Sequence, residues 1–359
     1  MSDDQRRIRT KAATSFDVAR LAGVSRSAVS RTFTQGASVA PETRSRVMEA
    51  AKALRYRPNL AARSLITRRS MIVAIAVSHL DNQFYPAIVQ RISEQLAPLG
   101  YRLLLYVTHG EESHEPLLGE LRHFGVDALI LASRGFAPEL LAECDLAGLP
   151  VVMLNNASPA SHGVMVVGDN YRGGAALARF LIAGEHRRFA YLAGDRGVSS
   201  SEERLAGYAA ALAEGGRDAP LVVDAGFEFE RAFAAASDVL RGPARPDALF
   251  CANDNMAFAA LQVARQNGLA PGRDISIVGF DNVAISGWPD LALTTYSQPV
   301  DALGAKVVEV LVALMAGKAD DTTEHRVPGR LVVRDTARQP AHGIFTYADG
   351  ERGWHPGAP

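Results

Sequence analysis

Arg20, Arg26 and Arg31 stand close together in the stretch TSFDVARLAGVSRSAVSRTF, residues 14–33. A guanidinium carries a planar fork of donors that can hold guanine O6 and N7 with two hydrogen bonds. On a short helix beginning after Ser25, Arg26, Ser27 and Arg31 fall on one face, and Val29 and Phe33 on the other. Ala19, Gly23 and Val29 have helix-turn-helix spacing. The small Ala lets the second helix approach, the Gly permits a left-handed turn residue, and the Val fills the space between the helices. Ser25 is placed to cap the second helix, which would lie in a major groove with its first residues facing base edges. An ordinary helical hairpin with exposed arginines has the same local pattern.

A second set of polar residues follows apolar runs further along. DNQFY (81–85) comes after MIVAIAV, Asn155 and Asn156 after PVVML, Asn253 and Asp254 after ALFC, and Asp281 and Asn282 after a run at 274–280. Arg204 lies in SEERLAGY. Polar groups beyond the carboxyl ends of parallel strands are placed to bind a ligand. A mixture of carboxylate, amide and guanidinium suits a ligand with many hydroxyls, since each hydroxyl both donates and accepts. Phe84 or Trp288 could stack on the apolar face of a sugar. Each candidate also has a plainer reading: Asp254 as a helix cap, Asn155 and Asn253 as turn formers, Arg204 as a surface residue, Trp288 as lobe packing. Asp281 is the strongest, because an acid at a buried strand end needs a partner.

The elements that must position these residues change character at about residue 70. Helices are expected over 15–22, 25–34 and 41–55, then a basic connector at 56–70. From 71 onward, apolar runs alternate with helical stretches: strands at 71–77, 101–107, 127–132, 150–155, 188–193, 220–223, 247–251, 274–280 and 293–297. Between them lie helices near 85–98, 113–124, 137–143, 170–184, 202–214, 228–240, 254–267 and 300–316, and a strand pair near 325–334 ends the series. This alternation implies parallel sheets, and so many strands favour two lobes with a cleft. The charge divides at the same place. Residues 1–70 hold 15 Lys and Arg against 5 Asp and Glu, a net of +10; the remaining 23 against 34 give −11. A basic front on an acidic body points to a polyanion partner for the front.

DVARLAGVSRSAVSR, followed by VAPETRSRVMEAAKALRYRPNLAARSL, resembles the DNA-binding headpiece of the lac repressor/galactose repressor family, and the similarity runs to about residue 337. The resemblance implies an all-α helix-turn-helix headpiece and an α/β, two-lobed body with parallel sheets, like periplasmic sugar-binding proteins. It implies a bacterial transcription regulator, a repressor by expectation, whose grip on operator DNA is set by a small effector. By family position, Arg26, Ser27 and Arg31 read bases, with Ala28, Ser30 and Thr34 on the same DNA-binding element. Ala28 stands where Thr is usual, Thr34 where Asn is, and Ala40 where a capping Ser is common. Asp17 either helps to orient the first helix or is a plain N-terminal acid. YRPNLAARSL matches the hinge motif, which places Asn59, Ala62 and Leu65 at DNA, with Leu65 wedged between base steps of the minor groove. Asn155, Arg204, Asn253 and Asp281 match effector contacts, and Asn82, Phe84 and Trp288 are added from the strand-end reading. The stretch 85–98 resembles the family's dimer-forming element, so a homodimer on a near-palindromic operator is expected.

The expected domains are a disordered tail at 1–13, the headpiece at 14–58, a hinge helix and linker at 59–70, a body at 71–339 and a flexible tail at 340–359. Lobe exchanges are expected near 164–170, 287–294 and 318–326. Other classes find little support. A solute-binding protein for carbohydrate uptake would share the body, but it would need a secretory signal where MSDDQRRIRTK stands, and it would carry no headpiece. No run of about 18 apolar residues suggests a membrane span. GxSxG and phosphate-loop motifs are missing, and GDRGVSSSEER lacks the phosphate-loop lysine. His79, His109 and His162 have neither metal nor triad spacing and read as structural. Cys144 and Cys251 suit a reducing cytoplasm as buried small hydrophobes. Neither a cofactor, a metal nor an enzymatic activity is expected.

Overall fold

The computed structural model describes residues 13–33, 37–56, 69–78, 80–108, 115–132, 138–155, 163–318 and 323–357. The chain divides into two units between residues 70 and 71. The first holds three helices, α1 (Ser15–Ala22), α2 (Arg26–Thr32) and α3 (Pro41–Ala53). Local capping starts the first two. Thr14 Oγ1 accepts from Asp17 N at 3.4 Å and Thr14 N donates to Asp17 Oδ2 at 3.0 Å, a reciprocal box. Gly23, at φ 63°, supplies the left-handed residue that ends α1. Val18, Ala19, Ala22, Val29, Val47, Ala50 and Ala51 bury together between the three helices. Ala40 makes no side-chain cap to α3, whose first residue Pro41 has no N–H to satisfy.

The second unit has two lobes. The first is built on β1 (Ile72–Val77), β2 (Arg102–Val107), β3 (Ala128–Ala132), β4 (Val151–Leu154), β5 (Val164–Gly168) and β11 (Glu324–Val327), in the order β11-β5-β4-β3-β1-β2, all parallel. Its helices are α4 (Phe84–Leu96), α5 (Glu115–Phe124), α6 (Pro138–Leu146) and α11 (Val300–Met315). The second is built on β6 (Phe189–Ala193), β7 (Leu221–Asp224), β8 (Ala248–Cys251), β9 (Ser276–Asp281), β10 (Thr294–Ser297) and β12 (Arg330–Val332), in the order β12-β10-β9-β8-β6-β7. Only β12 runs antiparallel to its neighbour. Its helices are α7 (Asn170–Ala183), α8 (Ser199–Glu214), α9 (Phe229–Arg241) and α10 (Asp254–Gln266). β1, β3, β4, β8 and β9 are buried almost throughout, as continuous apolar runs covered by helices on both faces should be.

Several expectations are corrected here. The run VMVVG at 164–168 is a further strand, β5, which the sequence reading passed over. The chain crosses between lobes at 168–170, 297–300 and 327–330, whereas the second and third crossings were expected at 287–294 and 318–326. The turn at 287–294 stays in the second lobe because β10 remains hydrogen-bonded to β9. The strand pair expected near 325–334 is not a pair: β11 joins the first sheet and β12 the second. The tail after 340 is not loose, since β13 (Ile344–Thr346) and β14 (Arg352–Trp354) form an antiparallel hairpin. Val333 N donates to Arg352 O at 2.8 Å, and the Trp354 ring meets Phe180 edge-on at 5.8 Å, so the hairpin is packed on the second lobe. Apolar Ile344, Phe345 and Trp354, hidden in a Gly- and Pro-rich segment, explain this.

Candidate functional site

In the headpiece, Ser25 Oγ accepts from Ala28 N at 3.2 Å and so starts α2 where expected. Arg26, Ser27, Ser30 and Arg31 are exposed on one face of α2, while Ala28, Val29 and Thr32 are buried. Ala28 is therefore corrected as a member of that exposed face, since its side chain is buried. Its carbonyl accepts from Thr32 Oγ1 at 2.8 Å. Arg44 of α3 donates to Thr32 O at 3.0 Å and ties down the end of α2. Asp17 is engaged in the α1 cap. Thr34, Asn59, Ala62 and Leu65 lie outside the described residues, as do Asn156, His79, His109 and His162.

The cleft forms between the lobes, at the carboxyl ends of both sheets. Asp281 ends β9 with φ 118° and its side chain is buried. It accepts from Asn82 Nδ2 at 3.1 Å and from Gln298 Nε2 at 2.7 Å, and Arg204 NH2 stands 3.7 Å away. Arg204 is itself buried. Its Nε donates to Asn170 Oδ1 at 2.9 Å, its NH1 donates to Ala252 O at 2.5 Å, and its guanidinium lies 3.7 Å over the Phe280 ring. Glycines bring it there. A Cβ on Gly174 of α7 would collide with the Arg204 carbonyl, and one on Gly207 of α8 with the Tyr171 carbonyl, so α7 and α8 can approach only with hydrogen at both places. Asn155, at φ 56°, donates from Nδ2 to Gln298 Oε1 at 3.1 Å and accepts from Gly168 N at 3.1 Å.

Asn82, Phe84, Asn155, Arg204, Asn253 and Asp281 thus all line one pocket. Trp288 does not. It is 60% exposed on the turn after β9, and the expectation of an effector contact there is corrected. Sequence reasoning missed several lining residues, Gln298 and Phe227 among them. Gln298 sits at the second crossing, where no strand-end pattern marks it. Phe227 enters the wall from the β7–α9 turn, and Gly226 and Phe227, both at φ 60°, swing its ring against Gly194. The left-handed Gly226 was the available signal.

The helix cap beside the pocket falls to Asn253, whose Oδ1 accepts from Met256 N at 2.9 Å. Asp254 lies beneath, fully buried, accepting from Thr295 Oγ1 at 2.6 Å and Val283 N at 2.9 Å. Burial pushes the Asp254 carboxyl well above the usual carboxylate range, and the charge of Asp281 adds to this. Burial also raises Asp281, against the opposing pull of Arg204, Gln298 and Asn82.

Elsewhere in the second lobe, Ser276 Oγ is 2.8 Å from His186 Nε2, and His186 Nδ1 is 3.6 Å from Asp247 Oδ1. The order imitates a nucleophilic triad, but Ser276 is wholly buried and its oxygen accepts from Arg338 N at 2.8 Å. It serves as an internal bracket. Both cysteines are buried, and burial raises both thiols, to about 11 at Cys144, which disfavours the reactive thiolate. Among the described residues, no cluster of metal-ligating side chains occurs and no helix is long and apolar enough to cross a membrane.

Fold and site together define a class: a DNA-binding regulator with a helix-turn-helix headpiece and a two-lobed, effector-binding body. Residues 16–59 match the model of bacterial regulatory proteins of the lacI family, and residues 178–337 match the periplasmic binding protein-like domain. The HTH-type transcriptional regulator CelR of Thermobifida fusca is 33% identical over 328 residues, covering 89% of this chain and 96% of that protein. The solved transcriptional regulator CelR–cellobiose complex matches with a TM-score of 0.69 at 32% identity, covering 90% of this chain and 100% of that one. The lac repressor dimer bound to operator and the anti-inducer ONPF matches with a TM-score of 0.83 at 28% identity, over 91% and 100%. The chain belongs to the lacI family of bacterial transcriptional regulators.

Proposed function

We propose that this regulator is a repressor that binds a near-palindromic operator as a homodimer in the cytoplasm, and that a sugar or sugar derivative in the cleft sets its operator affinity. The carrying observation is the polar cluster of Asp281, Arg204, Asn82, Asn155 and Gln298, drawn from both lobes and flanked by Phe84 and Phe227. Hydroxyls both donate and accept, so such a cluster can replace its own internal hydrogen bonds with bonds to a polyol, while the rings cover an apolar sugar face. That a similar regulator is solved with cellobiose supports the class of ligand.

Arg26, Ser27, Ser30 and Arg31 would face base edges in the major groove, with Thr34 at its border. The hinge residues Asn59, Ala62 and Leu65 would enter the minor groove beside a partner hinge, Leu65 as the wedge. Exposed Leu105 and Val107 on the edge strand β2, and the dimeric state of the similar lac repressor, favour self-association. The effector acts by population shift. It favours one lobe arrangement, and the coupling to DNA, about 1–3 kcal/mol, changes operator affinity several-fold to over a hundredfold.

The test is a fluorescence-anisotropy titration of the full chain against a palindromic duplex library, repeated with a panel of sugars, sugar acids and nucleobases. The expected result is a salt-sensitive preference for one palindrome that at least one carbohydrate alters. Equal binding to palindromic and random duplexes, or a response confined to nucleobases, would overturn the corresponding half of the proposal.

A further inference from the structure

Asp281 and Asn282 occupy left-handed backbone conformations, at φ 118° and 56°, immediately behind the cleft. Non-glycine residues persist there only when their surroundings over-determine them. Asn282 is held by Arg334, whose side chain is only 12% exposed. Its NH2 donates to Asn282 Oδ1 at 2.9 Å, and its NH1 donates to Ser286 Oγ at 3.1 Å and Leu293 O at 2.8 Å. Ser286 Oγ in turn donates to Asn282 Oδ1 at 3.0 Å. These acceptors are neutral. The carboxylate bonded to Arg334 comes from the C-terminal hairpin: Glu351 Oε1, at 2.8 Å.

The match to the periplasmic binding protein-like domain ends at residue 337, so this carboxylate is supplied from outside the matched domain. The hairpin is held independently of that bond. Tyr347 Oη donates to Leu331 O at 3.1 Å, Trp354 Nε1 donates to His342 O at 3.0 Å, and Arg352 pairs with Asp335 at 3.1 Å on the surface.

We propose that Glu351 is a positioning residue for the effector cleft: through Arg334 it fixes the 281–287 segment and thereby the direction of the Asp281 carboxylate. The hairpin is thus a working part of the cleft's rear wall. Its functional meaning rests on the cleft being the effector site, but its geometry is tested without any ligand.

Hydrogen exchange, read by mass spectrometry on the full-length protein without ligand, makes the test. Glu351→Gln keeps the side chain's shape and removes its charge. Peptides covering 281–287 should then exchange about tenfold faster, with β6 unchanged, because a charge-assisted bond to a buried guanidinium is lost while the fold remains. Arg352→Gln removes a surface ion pair of the same hairpin and should leave 281–287 at the wild-type rate. Unchanged exchange there in Glu351→Gln overturns the proposal. So does equal acceleration in both variants, or acceleration throughout the second lobe, since each would mark the hairpin as mere ballast for stability. Operator titration of Glu351→Gln is the separate check on the function proposed above; its failure in wild type would leave the exchange result standing.

Discussion

Asn82 of the first lobe donates to Asp281 of the second across the cleft, Nδ2 to Oδ2 at 3.1 Å, from 199 residues away in the chain. With Gln298 on the other oxygen, this carboxylate receives a hydrogen bond from a first-lobe strand end and another from a lobe crossing. Asp281 therefore ties the two lobes together at the cleft.

Asp281→Asn should leave operator binding intact and weaken the effector. Bonds to a buried charged group contribute about 1.5–3 kcal/mol, so affinity should fall about 10- to 100-fold. Calorimetry with the carbohydrate that alters operator binding is the check, and undiminished affinity would remove Asp281 from the site.

Arg31 is exposed on the face of α2 that carries Arg26, Ser27 and Ser30. Arg31→Ala should cost about 1–3 kcal/mol at the cognate site and relax base preference at one position. If the variant and the wild type titrate identically against matched and mismatched duplexes, α2 is not the reading helix in the manner described.

Gly174 faces the Arg204 carbonyl with no room for a methyl group. Gly174→Ala should push α7 from α8, costing about 1–3 kcal/mol of stability by overpacking, and should displace the Arg204 guanidinium. Thermal unfolding measures the first effect and effector titration the second. An unaltered midpoint would show that the helices separate freely.

His186 is buried, and burial lowers its imidazole from 6.5 to about 4, Asp247 opposing the shift. The unfolded chain therefore takes up this proton before the folded one does. Stability from this group should be intact above pH 6.5, decline as the pH falls from 6.5 towards 4, and change no further below. Urea midpoints across that range, compared with His186→Asn, check the sign. A wild-type loss on acidification no larger than that of the variant would count against it.

Much was legible in the sequence because it is written in local interactions. The α1 cap, Gly23, the Ser25 cap and the Ala19–Gly23–Val29 spacing involve residues within a turn or two of each other. The continuous apolar runs of β1, β3 and β9 announced buried parallel strands, and strand ends then pointed to Asn82, Asn155, Asn253 and Asp281. Trp288 and Ala28 were misplaced because neither residue type nor spacing says which way a turn faces, nor whether an alanine in a short helix is buried.

The sequence by itself determined the two-part plan, a basic helical reader on an acidic body of alternating strands and helices, since periodicity, capping and charge are properties of short segments. Only the tertiary structure decided where the chain changes lobes, that Gln298 and Phe227 join the cleft, and that the C-terminal hairpin braces Arg334. These depend on which strands pair and which ends then meet. Pairing is settled by burial and hydrogen bonding between residues as far apart as Met165 and Glu324, which no local pattern records.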